Sequence, residues 1–406
     1  IDFRLDYTNF DSLISDDDTR FRTFADIDFL MDFSPVSGEI HFGFSNEGVD
    51  LEQAFLRYSF NKNFNLTAGR QLAALSYEKD ESPSMYQTSY AYITDVMADV
   101  REGGKALEDF VGVTKIKNTG EQVSKGLVAE RKKITDMAST LFDEKFEITS
   151  DYLDNYPIVG IDEEREFELP GFRRNYVDGV RFNYNNGRIG YVAGLHNGYF
   201  TDSNHQNNGN IGLDLAASFM LIPGLELRLG YGYEKNDAYN QSISGYNSWA
   251  SNFTSAVNAD RANRPSLTGH DFYAKFAKGV FLFPESDDIS QVNLQVSYQT
   301  GGLTLAFEWD MWDVYVIDMW NIMMLANYQF NDVFGLTFRY SHENFEMEDD
   351  VPGGGEGSSN RFTIGPIFSV TDNLTVGIEY SHAELDSTNT GDTSVDELYA
   401  ETIFSF

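Results

Sequence analysis

Thirteen charged side chains stand where an alternating chain turns its polar face: Arg22, Asp26, Asp28, Arg57, Arg181, Asp214, Glu226, Arg228, Glu308, Asp310, Arg339, Arg361 and Glu379. Each has at least one apolar neighbour of the opposite parity. In "FRTFADIDFLMDF", Phe21, Ile27, Phe29, Met31 and Phe33 share one face, while Arg22, Asp26, Asp28 and Asp32 share the other. Charges in that number cannot line a dry core without severe desolvation cost. Their chemistry is the electrostatics of a watered surface.

The residue types that carry covalent catalysis are poorly placed. Two "YSH" strings occur, at 340–342 and 380–382. Ser341 and His342 are sequence neighbours, as are Ser381 and His382, so on a strand each pair points to opposite faces. That disfavours a nucleophile–base pair and leaves only cross-strand arrangements. There is no cysteine, hence neither disulfide nor thiolate metal site. Acidic clusters at Asp16, Asp17 and Asp18, at Glu346 to Asp350 and at Asp162 to Glu164 admit two readings. They would bind Ca²⁺ or Mg²⁺ bridging to anionic lipid, or be solvated loop charge; none has EF-hand spacing. No other cofactor is expected.

The elements that must position these residues are strands. "LELRLGYGY", "QVNLQVSYQ" and "FGLTFRYSH" repeat the two-residue period, which marks β structure. Between paired runs lie Ser34-Pro35-Val36-Ser37, Asn61-Lys62-Asn63, Asn185-Asn186-Gly187, Ile222-Pro223-Gly224, Thr300-Gly301-Gly302, Asn331-Asp332-Val333 and Thr371-Asp372-Asn373, the chemistry of tight turns. Short turns alternate with eight longer loops. About sixteen strands result, from 1–9 to 395–406; a further hairpin in 269–288 would make about eighteen. An even count lets the first strand pair the last and leaves no open edge.

Composition agrees. A net charge of −35 disfavours nucleic acid, and 15% aromatic residues exclude a disordered acidic chain. No run of about 18 uncharged apolar residues exists to form a membrane helix. Aromatics gather beside the short turns (Phe33, Phe60, Phe64, Tyr184, Tyr298, Tyr328, Phe330, Phe334, Phe368, Phe406), and Trp309, Trp312, Trp320, Tyr340 and Tyr380 gather at the opposite strand ends. Two such rings bracketing an apolar band are the girdles of a transmembrane barrel. The expected fold is therefore an all-β, antiparallel, up-and-down transmembrane barrel, a single domain over 1–406. Ile1 is already in strand register, as in a mature chain after signal removal.

One stretch departs from the pattern. Residues 72–174 separate the fifth and sixth strands, with helical spacing at Val123, Leu127, Ile134, Met137, Ala138 and Leu141 and a weaker helix near 95–111. This long, partly helical third extracellular loop is the candidate constriction or cap. Its carboxylates are expected to face Arg57, Arg181 and Arg339 across an eyelet.

"LEQAFLRYSFNKNFNLTAGRQLAALSYEKDESPSMYQTSYAY" (51–92) and "LPGFRRNYVDGVRFNYNNGRIGYVAGLHNGYF" (169–200) resemble the OmpL-like β-barrel porin family of Gram-negative bacteria. The resemblance implies an outer-membrane channel, not an enzyme, passing small hydrophilic solutes and ions amid outer-membrane lipid and lipopolysaccharide. It implies a homotrimer, and a terminal strand, with Phe404 and Phe406, read by the barrel-assembly machinery. The competing readings are a phospholipase or protease barrel, and a loop-plugged structural or adhesive barrel.

Overall fold

The structure is a computed structural model. It describes residues 2–10, 18–45, 48–78, 86–99, 176–198, 211–235, 251, 288–314, 317–347, 355–388 and 391–405. Sixteen antiparallel strands are β1 (Asp2–Phe10), β2 (Asp18–Phe33), β3 (Val36–Phe44), β4 (Val49–Asn61), β5 (Phe64–Leu72), β6 (Tyr176–Asn185), β7 (Ile189–His196), β8 (Gly212–Ile222), β9 (Leu225–Glu234), β10 (Ile289–Thr300), β11 (Leu303–Val314), β12 (Ile317–Gln329), β13 (Phe334–Met347), β14 (Glu356–Thr371), β15 (Leu374–Ser387) and β16 (Thr393–Ser405). Each pairs with its sequence neighbours and β1 pairs with β16, so the sheet closes. Closure satisfies every backbone edge, which a hydrocarbon environment demands. The eighteen-strand alternative rests on 269–288, of which all but Asp288 lie outside the described residues.

Local chemistry sets the hairpins. At β6–β7, Asn186 Oδ1 accepts the N–H groups of Arg188 and Ile189, both at 2.9 Å. Gly187 supplies the φ of +83° that the turn needs. Asn331 does the same between β12 and β13, accepting from Val333 at 2.9 Å and Phe334 at 3.0 Å. One connection differs from expectation. One of the eight connections expected as longer loops is short: Asp313 pairs with Asp318 and Val314 with Ile317, leaving two residues between strands. The aspartates look loop-like in sequence because they face outward above the apolar band.

The outer wall is apolar. Phe21, Leu56, Phe182, Leu229, Met324, Phe338, Phe362, Ile378 and Leu398 are all exposed and run around the barrel. No soluble monomer presents such a belt to water; it is a hydrocarbon-facing surface. At the short-turn end, rings pack in series, edge-on or stacked, from Tyr58 through Phe60 and Phe64 to Phe182, and from Tyr328 through Phe330 and Phe334 to Phe368, with centroids 4.8 to 6.1 Å apart. Trp320, Tyr340 and Tyr380 lie outward at the other end. Trp312 does not. It sits opposite Gln291 on the inner face and is 3% exposed.

Candidate channel interior

Parity places the predicted charges on the inner wall, but they divide into two unlike groups. Along β8–β15 they are sealed: Asp214, Glu308, Asp310, Arg339, Arg361 and Glu379 are all 3% exposed or less. Their cover is the first part of the long third loop. Residues 73–78 and 86–96 run inside the barrel, the second stretch entering helix α1 (Ile93–Asp99).

The cover is held through its backbone. Wall carboxylates accept loop N–H groups: Asp214 from Ala74 at 3.2 Å, Glu308 from Tyr77 at 2.8 Å, Glu379 from Thr88 at 2.7 Å and Ser89 at 3.2 Å, and Glu343 from Thr94 at 3.2 Å. Wall arginines donate to loop carbonyls: Arg181 to Leu72 at 2.8 Å, Arg228 to Ala74 at 2.6 Å, and Arg339 to Ser89 at 2.9 Å and Tyr90 at 2.7 Å. A loop without regular pairing carries unpaired peptide groups wherever it is buried. Here the opposing charges of the wall supply the partners, and each such bond is charge-assisted.

Ser89 is the knot of this arrangement. Its hydroxyl donates to Glu379 and accepts from Arg339 at 3.1 Å and Arg361 at 2.8 Å. Arg361 also holds Glu397 at 2.7 Å, bonds the carbonyl of Tyr90, and reaches Ser381 Oγ at 3.0 Å. Arg339 grips both oxygens of Glu78 at 2.9 Å. Burial pushes the Glu78 carboxyl up, against the pull of the Arg339 guanidinium. Neighbouring Tyr77 is pushed up to about 12 by burial, with Tyr86, Glu78 and Glu308 adding to it, and stays neutral.

Apolar contacts seat the same segment. Ala91 and Tyr92 pack on Ala306, Met323 and Leu325, an apolar patch on the inner wall. Leu75 packs with Ala74 on Ala216, beside Val192. Its seat is a notch at Gly230, where an added Cβ would lie 2.4 Å from Leu75 Cδ2. Gly230→Val is accordingly expected to cost about 1–3 kcal/mol by overpacking. Leu75→Ala in the same chain should recover most of the loss in the thermal unfolding midpoint measured in detergent.

The second group lies along β2–β6. Asp28 contacts His41 Nδ1 at 3.0 Å, Glu39 contacts His41 Nε2 at 3.4 Å, and Arg57 meets Glu39 at 3.4 Å while lying over the Phe55 ring. These side chains keep 20% to 37% of their surface in water. Leu30, on the same inner parity opposite Glu39, is 73% exposed. Asp26 and Glu226 are half-buried on the inner face. Arg22 lies on β2, but its side chain is outside the described set, as is that of Asp18; Asp16, Asp17 and Phe406 lie outside the described residues. Phe404 faces outward, 44% exposed.

Most carboxylates of the loop expected to face an eyelet lie outside the described residues. Among the described residues Arg339 meets a loop carboxylate, Glu78. Arg181 pairs with Asp214 of the wall at 3.2 Å, and Arg57 with Glu39. Sequence reasoning missed Glu343, one residue beyond the expected strand end, and Glu397, both on the inner parity and legible there. It also missed Glu78, Ser89 and Thr94, which no periodicity marks. In the YSH strings Ser341 Oγ turns inward to the Ala91 carbonyl, while His342 turns outward to Asn360 at 3.0 Å. Ser381 likewise bonds Thr363 inside, at 3.0 Å, and His382 bonds Asp396 outside, at 2.9 Å. Among the described residues no group of three or more His, Asp or Glu is arranged to hold a metal ion.

Solved structures of outer-membrane proteins superpose on this chain over its whole length. The fold is that of the porins. OmpF of Salmonella typhi, solved with daunomycin, superposes with a TM-score of 0.53 at 10% identity, covering 100% of this chain and 96% of its own. The outer membrane channel DcaP of Acinetobacter baumannii gives 0.52 at 10% identity, covering 100% and 95%. An anion-selective porin from Comamonas acidovorans gives 0.50 at 10% identity, covering 100% and 99%. No family model matches the sequence and no curated protein matches it, so the likeness to the OmpL-like family stands on the strand text alone.

Proposed function

We propose that this chain is an outer-membrane channel through which small hydrophilic solutes and ions diffuse passively. One barrel domain spans 1–406, and the insertion 72–174 begins as a fixed constriction. The observation that carries the reading is the contrast between the two inner walls. Asp214, Glu308, Asp310, Arg339, Arg361 and Glu379 are sealed where residues 73–78 and 86–96 run inside the barrel, while Asp28, Glu39 and Arg57 remain wet. A barrel of sixteen strands is wide enough to hold such a segment and still leave an aqueous path. The path runs on the β2–β6 side, so Asp26, Asp28, Arg57 and Arg181 line or border it, while Asp214, Arg228, Glu308, Arg339, Arg361 and Glu379 hold the docked segment.

Three barrels packed through their apolar walls, with lipid and lipopolysaccharide around them, complete the assembly, and Phe404 belongs to the strand that the barrel-assembly machinery would read. Purified protein in planar bilayers is expected to give discrete conductance steps. Folded protein that inserts and gives none would overturn this reading in favour of a plugged barrel. Hydrolysis of phospholipid or peptide would overturn it in favour of an enzyme.

A further inference from the structure

The wet wall carries an unusual contact. His41 lies between two carboxylates, with Nδ1 3.0 Å from Asp28 Oδ1 and Nε2 3.4 Å from Glu39 Oε2. A neutral imidazole owns one N–H and one lone pair. It can donate to one of these carboxylates, and the shorter distance selects Asp28; its other nitrogen then turns a lone pair toward the second. Protonation converts that second contact into a charge-assisted hydrogen bond.

The surroundings make the change matter. Among the described residues, the inner face around His41 carries Asp26, Asp28 and Asp32 from β2, Glu39 from β3, and Glu52 and Arg57 from β4. Glu52 lies over Gly43, where a Cβ would meet its Oε1 at 2.6 Å. Arg57 is committed to Glu39 at 3.4 Å. The wall is acidic in excess, and His41 is the one imidazole on it among the described residues; imidazole is the side-chain group that ordinarily changes charge near neutral pH.

Resting on the channel reading above, we infer that His41, held between Asp28 and Glu39, sets the charge preference of the open path. With a neutral imidazole the path favours cations; with an imidazolium it loses one unit of that preference. The preferred solutes are small inorganic and organic cations. One elementary charge acting on an ion about 7 Å away in water changes relative permeability about threefold.

The experiment is the reversal potential of the reconstituted full chain across a KCl gradient, at about pH 8 and about pH 5.5, either side of ordinary imidazole titration. Wild type should prefer potassium over chloride at the higher pH and lose roughly threefold of that preference at the lower. His41→Gln should hold the higher-pH preference at both values. Glu39→Gln should lower the preference at both and keep the pH response. A His41→Gln channel that responds to pH as wild type does overturns the inference, as does a Glu39→Gln channel of unchanged selectivity. Absence of any conductance step is a separate failure, that of the channel reading.

Discussion

Replacing Arg339 with methionine is expected to release residues 86–92 from the inner wall and open the path they narrow. Arg339 is 3% exposed and donates to Glu78, Ser89 and Tyr90 from one guanidinium. Removing it strands Glu78 as a buried, uncompensated carboxylate and takes the Arg339 donor from the Ser89 carbonyl, while the Tyr90 carbonyl keeps Arg361. Breaking a buried pair in this one-sided way costs about 3–5 kcal/mol, enough to shift docking by roughly a hundredfold or more. Lysine is a poor substitute, since it lacks the fork that meets both Glu78 oxygens.

The chain has no cysteine, so release can be read directly. Ala91, within the docked segment, is 2% exposed against the wall, and an Ala91→Cys thiol should resist a polar maleimide there. Adding Arg339→Met should accelerate labelling roughly a hundredfold and raise single-channel conductance. Unchanged labelling in the Arg339→Met chain would show that the segment is held by other means.

The pH dependence of that variant follows from Glu78. Burial pushes its carboxyl up even with Arg339 present, and without Arg339 the downward pull is gone. The docked state then binds more protons than the undocked one between the ordinary carboxylate range and the raised value. Stability of docking falls as pH rises through that interval and returns on acidification. Labelling of the Arg339→Met chain should slow toward wild type as pH is lowered. Glu78→Gln in the same chain should flatten the response.

How far the sequence foretold this arrangement depends on which periodicity a residue obeys. All sixteen strands were legible because two solvents impose a two-residue period on the wall. Glu343 and Glu397 extend that period, and only an early strand boundary or an incomplete tally kept them from the candidate set. Trp312 was misread because girdle membership was inferred from residue type at a strand end, whereas parity turns it inward beside Gln291. The inner apolar residues Met323 and Leu325 break the polar-inside rule for a reason that lies elsewhere in the chain: Ala91 and Tyr92 cover them. Residues 73–78 and 86–92 obey no period at all. Their path is dictated by carboxylates and guanidinia placed across seven other strands, which local sequence cannot reveal.

The strongest test of the wall itself is a charge on its outer face. Phe338 is 52% exposed on β13, between Phe334 of the lower aromatic ring and Tyr340 of the upper. Phe338→Arg would set a guanidinium against hydrocarbon, at a cost of about 2–4 kcal/mol near the midplane of a bilayer. The neighbouring position is occupied by Arg339, fully tolerated because it points the other way. Two consecutive residues therefore answer to opposite solvents: arginine is required at one and forbidden at the other. Folding of Phe338→Arg into lipid vesicles, followed by its denaturant midpoint, should show that loss. A soluble sheet would instead gain from the same change, since an exposed phenylalanine gives way there to a hydrated cation. The sign of the shift, more than its size, distinguishes a face in lipid from a face in water.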